Sequence, residues 1–426
     1  MLATCLLGLV FQQDAISTIQ KLVDHPELAS SQLCICIENL KGDLIYQLNG
    51  NKRILPASNQ KLFTCAFALH ELGPDFTPIT RFWKDVGTIT VESSGDPTMR
   101  SGYLESARRT LNPQDGCLVL VKQAYRPMLG PGWEWDDLDT YYASPVTAFS
   151  ADGGSAMVWS IPQGVRLQPN YPGYKVFTYP TLEPLNIEYQ PQYRLIVASG
   201  LLPQTKTFVR KISLQEPDRA AASLIGDRFQ LIDTIPSRKP DYVIPGEPIK
   251  EILPACLQPS DNNIAEHLLF MASQHASPTV SPTFESSARS LVQFLTKTVG
   301  IKAGDVFAAD GSGLSRHNLA TAKSICTLLN WAYRQNTKQL WLSSLAYPGD
   351  GTLKNRLQGS SFIGKTGTMS SVCSLSGYVK AKSGETLVVS IIENNYLGSS
   401  VATRALQDSI IRAIEQVPMP ESHSKT

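Results

Sequence analysis

Neither sign of charge is in excess: 38 Lys and Arg stand against 37 Asp and Glu, a net of +1. That balance leaves no electrostatic case for nucleic acid or a strongly acidic partner. No apolar run approaches the 18 residues or so that a membrane-spanning helix needs. Residues Met1–Phe11 read as the tail of a secretory h-region without its basic n-region, a truncated or mis-started signal; the competing reading is an ordinary first helix packed on the core. Thr4 ahead of Cys5 makes a poor lipoprotein signal. Eight cysteines form no disulfide framework: Cys34 and Cys36 alternate along a strand, and Cys65, Cys326 and Cys373 sit in apolar surroundings, as small core residues do. A disulfide in an oxidising compartment stays open, with no pairing assigned. There is no G-x-S-x-G elbow and no H-E-x-x-H zinc helix, because His70-Glu71 runs into Leu72-Gly73-Pro74. Gly311-Ser312-Gly313 lacks the third glycine of a nucleotide loop. Neither a metal nor a cofactor is expected. Repeats and low-complexity tracts are missing too, apart from the polar tail Pro420–Thr426.

What is present is a chain of 426 residues, 42% of them hydrophobic, too long for one ordinary core. Leu33–Glu38 and Leu44–Leu48 read as a hairpin around Asn39–Asp43; Ser374–Ala381 and Thr386–Glu393 read as another around Lys382–Glu385. Val401–Val417 spaces its apolar residues for a helix. The simplest architecture joins both terminal hairpins in one antiparallel sheet flanked by helices, an α+β class. From about Asp75 to Ile249 the texture changes: prolines crowd in and short β-rich runs replace helices. We therefore expect a main domain over 1–78 and 246–426, split by a β-rich insertion over 79–245.

Three short segments carry chemistry. Ser58-Asn59-Gln60-Lys61 opens a helix that stops at Gly73-Pro74, placing Ser58 and Lys61 at i and i+3 on one face. A serine hydroxyl is a poor nucleophile until a base takes its proton. Lysine can be that base once desolvation and a neighbouring cation lower its pKa, and Lys365 is the cation expected there. Ser260-Asp261-Asn262 precedes a second helix. By itself it reads as caps; functionally, Ser260 relays a proton to a leaving amine and Asn262 holds a substrate carbonyl. Lys365-Thr366-Gly367-Thr368 reads as an edge strand, where Gly367 lets a substrate backbone approach and pair. Lys365 and Thr366 would hold a carboxylate. The backbone N–H groups of Ser58 and Thr368 would form an oxyanion hole, worth about 3 kcal/mol per donor.

S-x-x-K, S-D-N and K-T-G in this order are the set of serine enzymes acting on penicillin-like amides. With Leu55-Pro56-Ala57, Ser94-Gly95-Asp96-Pro97-Thr98, Pro131-Gly132-Trp133-Glu134-Trp135-Asp136-Asp137 and Asp310–Asn318, the chain resembles the D-alanyl-D-alanine carboxypeptidase/endopeptidase (peptidase S13) family of low-molecular-mass class C penicillin-binding proteins. The resemblance runs from about Ile35 to Ile411. It implies a transpeptidase/β-lactamase-like domain split by an insertion, and a periplasmic enzyme. It also implies an acyl-enzyme on Ser58 with Lys61 as base, and peptidoglycan stem peptides and β-lactam antibiotics as partners. Asp152 is the candidate acidic residue for a diaminopimelate side chain, and Arg316 would line the same cleft. Two other readings are a β-lactamase, which must activate a deacylating water, and an inactive peptidoglycan-binding scaffold, which has no chemical need for all these groups.

Overall fold

The computed structural model describes residues 15–126 and 128–417; the expected signal remnant and Pro420–Thr426 lie outside them. The chain divides into two compact units, one of residues 1–67, 253–261 and 288–426, the other of 68–252 and 262–287.

The first unit is built on a five-stranded antiparallel sheet. Its order is Ile363–Met369, Val372–Lys380, Thr386–Asn394, Gln32–Asn39 and Leu44–Leu48. Both terminal hairpins thus share one sheet, and Ile35 faces Ile391 while Ile37 faces Val389 across the join. Gln32–Asn39 is buried over six consecutive residues, because helices cover both faces. Leu33, Ile35 and Ile37 pack with Ile19, Val23, Ile410, Ile411 and Ile414, from the helix over 15–23 and from Val401–Glu415. On the other face, the Cys326 thiol donates to the Cys36 carbonyl and the Asn330 amide to the Glu38 carboxylate, both from the helix Ala322–Tyr333. That helix starts with a reciprocal Thr321–Ser324 capping box.

The second unit is not simply β-rich. Thr88–Ser93 and Leu118–Gln123 pair in parallel, with the helix Ser101–Leu111 between them in sequence, and Leu118–Gln123 also pairs in parallel with Arg228–Leu231. Parallel neighbours require a crossover. The signal for it was present: Leu104, Ala107 and Leu111 recur at helical spacing and are buried in the same core as Val91 and Val119. Pro217–Ser223 is a second helix that the proline-rich texture obscured. Two three-stranded sheets complete the region, over a core that includes Val158, Ile196 and Ile212. The helix Asn262–Ala276 also belongs to this unit, where Phe270 stacks on Tyr125.

Candidate active site

Ser58 sits in a single 3-10 turn, Ala57–Asn59, that leads into the helix Gln60–Leu72. The turn is strained at Ala57, whose φ of 47° lies in the left-handed region. Two side-chain bonds fasten it to the sheet. The Asn59 amide donates to Ser376 Oγ at 2.7 Å, and Ser374 Oγ donates to the Pro56 carbonyl at 2.8 Å. A backbone held this tightly can carry its strain, and it fixes where the half-buried Ser58 side chain starts.

Lys61 is fully buried. Its Nζ reaches Ser58 Oγ at 3.0 Å and donates to the Ser312 carbonyl at 2.7 Å. The segment Asp310–Asn318, which the sequence supplied only as a likeness, turns out to position this lysine. The Gly311 carbonyl accepts from Thr64 Oγ1 at 2.7 Å and the Asp310 carbonyl from the Gln60 amide at 3.2 Å. The Asp310 carboxylate in turn accepts from the N–H groups of Gly313 and Ser315 and from the Asn318 amide. Gly313 has φ of +84°, and a Cβ there would run into the Ala57 carbonyl, so only glycine serves. An aspartate followed by Gly, Ser and Asn is a loop with its own internal acceptor, and that was the signal available beforehand.

Lys365 is also fully buried, and its Nζ donates to the Thr366 carbonyl at 2.8 Å. Burial, and then the charge of Lys61, hold its ammonium well below the ordinary lysine value. The repulsion is mutual, so this dry interior does not readily carry two ammonium groups at once. The sequence reading made Lys365 the perturber of Lys61; the structure shows the charge of Lys61 acting on Lys365.

Ile363–Met369 is the edge of the sheet. Ala346 exchanges both backbone bonds with Gly364 on its outer side. In an antiparallel arrangement the outward-facing groups then belong to every second residue: Gly364, Thr366 and Thr368. The Thr368 N–H therefore points off the open edge, as an oxyanion donor must. At Gly367 a Cβ would lie 2.8 Å from the Ser58 nitrogen, which fixes how close this strand runs to the Ser58 turn. The Ser58 nitrogen accordingly lies beside the edge strand at Gly367.

Ser260 occupies the turn after the helix Ile249–Leu257, with φ of 67°. It is half-buried, and its turn is tied to the edge strand. The Thr352 N–H donates to the Gln258 carbonyl at 3.1 Å, and Thr366 Oγ1 donates to Thr352 Oγ1 at 2.7 Å. The Arg316 guanidinium donates to the Ser370 carbonyl at 3.2 Å, just past the strand, and Thr368 Oγ1 accepts from Arg404. Ser58, Lys61, Ser260, Lys365, Thr366, Gly367, Thr368 and Arg316 thus belong to one unit. Asn262 and Asp152 belong to the other. There the Asn262 amide donates to the Tyr142 carbonyl at 3.1 Å. Asp152, at φ of 52°, accepts from the Ser101 N–H at the start of a helix and from the Tyr171 hydroxyl. Among the described residues no group of His, Cys, Asp and Glu is arranged to hold a metal. No helix among them is long and apolar enough to cross a membrane.

A buried lysine nitrogen against a serine hydroxyl, beside an open strand edge, suits acyl transfer. The sequence profile of the D-Ala-D-Ala carboxypeptidase 3 (S13) family matches residues 15–417. The chain belongs to that family. Among curated relatives, a D-alanyl-D-alanine carboxypeptidase of an Actinomadura species is 27% identical over 92% of this chain and 82% of its own. In fold, this S13 chain resembles penicillin binding protein 4 (dacB) from Haemophilus influenzae, with a TM-score of 0.77 at 22% identity, covering 92% of this chain and 97% of that one. The same H. influenzae protein has been solved in complex with a β-lactam. A predatory peptidoglycan endopeptidase from Bdellovibrio bacteriovorus shares the fold more distantly, at a TM-score of 0.55 and 14% identity over 93% of this chain and 96% of that one. The expected α+β class and the S13 resemblance both hold.

Proposed function

We propose that this S13 protein is a serine D,D-peptidase that is acylated at Ser58 and releases D-alanine from peptidoglycan stem peptides. The observation that carries this reading is the 3.0 Å contact between Lys61 Nζ and Ser58 Oγ beside the open edge at Thr366 and Thr368. Neutral Lys61 takes the Ser58 proton as Oγ attacks the carbonyl of the penultimate D-alanine. The negative charge that develops on the carbonyl oxygen is met by the Ser58 and Thr368 N–H groups. Ser260 relays the proton to the departing amine, which leaves as D-alanine, and water then hydrolyses the ester. Lys365 and Thr366 hold the terminal carboxylate, Gly367 gives the peptide room to pair as an added strand, and Asn262 binds a substrate carbonyl. Arg316 and Asp152 are the residues assigned to the rest of the stem peptide, Asp152 to a diaminopimelate ammonium. No metal or cofactor takes part.

The catalytic domain is assigned to 1–78 and 246–426, with 79–245 as its insertion. β-Lactams, whose amide mimics the scissile bond, acylate the same serine. The substrate lies outside the cytoplasm, so the protein is assigned to the periplasm. The β-lactam complex of the H. influenzae relative supports the antibiotic part of this reading. The B. bacteriovorus endopeptidase supports cleavage of D-Ala-diaminopimelate cross-links as well.

Incubating the protein with purified peptidoglycan, and with stem pentapeptides ending in D-Ala-D-Ala, tests the proposal. Released D-alanine that disappears in Ser58→Ala supports it. Inert peptides together with rapid turnover of a penicillin would assign the site to a β-lactamase; no reaction with either would leave a scaffold.

A further inference from the structure

The described residues include seven cysteines, all buried and all in the thiol form. Cys65 and Cys256 face each other. Cys65 Sγ lies 3.7 Å from Cys256 Sγ, and Cys256 in turn donates to the Asp261 carbonyl at 3.7 Å. Neither side chain has any exposure. Cys326 and Cys36 also touch through their side chains, but there the Cys326 thiol donates to the Cys36 backbone carbonyl at 3.3 Å.

The places these two cysteines occupy give the pair its meaning. Cys65 follows Lys61 by one helical turn, on the face that carries the lysine. Cys256 stands in the last turn of Ile249–Leu257, one turn ahead of Ser260. The chain leaves the first unit after Phe67 and returns to it at Leu253. The pair therefore sits at the foot of the long excursion, where its two ends come back together, 191 positions apart in sequence.

We propose that Cys65 and Cys256 form a disulfide when the protein folds in an oxidising compartment, stapling the S-x-x-K helix to the helix that presents Ser260. One thiolate attacks a small-molecule or protein disulfide, forming a mixed disulfide and expelling a thiol. The second thiolate then displaces the remaining sulfur. Two protons and two electrons leave the cysteines, and the oxidant becomes two thiols. Closing the gap requires the sulfurs to approach by rotation about the two Cα–Cβ bonds, with the helices already in contact. Both thiols are fully buried, and burial raises the Cys65 pKa well above the usual thiol value. An external disulfide therefore does not reach the pair in the folded protein, and the bond forms during folding. Closing so long a loop restricts the unfolded chain strongly.

Refolding the reduced full chain in a glutathione redox buffer, alkylating, and digesting with trypsin without reduction tests this directly. Trypsin isolates Cys65 on the peptide 62–81 and Cys256 on the peptide 251–289. The expected product is the pair of peptides covalently joined and two hydrogens lighter than their sum. The oxidised protein should also melt several degrees above the same protein after reduction. The already folded, reduced protein should stay unlinked in the same buffer. Alkylated Cys65 and Cys256 after oxidative refolding, or a link from either to another cysteine, would overturn the proposal. So would a link without any rise in melting temperature, since no staple would then exist.

Discussion

Lys61 is held from both sides, by the Ser58 hydroxyl and by the Ser312 carbonyl, with no access to solvent. Its replacement by alanine should lower the rate of penicillin acylation by roughly 10²–10⁴, the usual contribution of a positioned base. Stopped-flow acylation with a fluorescent penicillin measures this, and an unchanged rate would mean that another group takes the proton. Acylation should also fall as the solution is acidified, because protonating the lysine pair removes the base. A second buried titratable group sets a different pH dependence, on stability. His267 is fully buried, with Nδ1 2.6 Å from the Tyr125 hydroxyl and 3.1 Å from the Gly95 carbonyl, and burial lowers its pKa from 6.5 to about 4. The unfolded chain therefore takes up this proton as the pH falls through 6.5, while the folded protein does not until about 4. Stability should drop between those values by up to about 3 kcal/mol and then level off for this group. Melting temperatures across that range check it, with His267→Gln expected to flatten the slope.

At the scale of elements, the edge strand and the Asp310 loop do different work and should fail differently. Gly367→Ala puts a methyl group against the Ser58 nitrogen and Ser374 Oγ. It should slow acylation by at least about tenfold and cost about 1–3 kcal/mol of stability, as overpacking does. Asp310→Ala removes the acceptor of the hydrogen bonds from Gly313, Ser315, Asn318 and Ser312 inside the loop. A comparable loss of stability is expected from the stranded N–H groups, and acylation should slow because Ser312 no longer aims its carbonyl at Lys61. Thermal melts and acylation rates on each variant separate the two effects. Elements are also where sequence reading met its limits. The helix Gln60–Leu72 and the terminal hairpins were legible because their periodicities are strong and their stops, such as Gly73-Pro74, are local. The Asp310 loop was legible only as a likeness, since its role depends on a lysine some 250 positions away. The Ser101–Leu111 helix had the right spacing, and the surrounding proline-rich texture hid it.

For the whole molecule, motif order announced the chemistry, and three-dimensional register supplied what order could not. That Thr366 and Thr368 face outward follows from the Ala346–Gly364 bridge, a pairing between distant segments that no local pattern encodes. That the charge of Lys61 weighs on Lys365 follows from burial of both, and only packing decides burial. Composition changes near Asp75 and Ile249, but nothing local in Asn262–Ala276 announces that it packs with residues 68–252. All these strands meet at one oxygen. The most direct test is the mass of tryptic peptides after brief exposure of the intact protein to benzylpenicillin. A single penicilloyl adduct on the peptide 54–61, at Ser58, is the predicted result. An adduct on any other residue, or none at all from folded protein, would contradict the account.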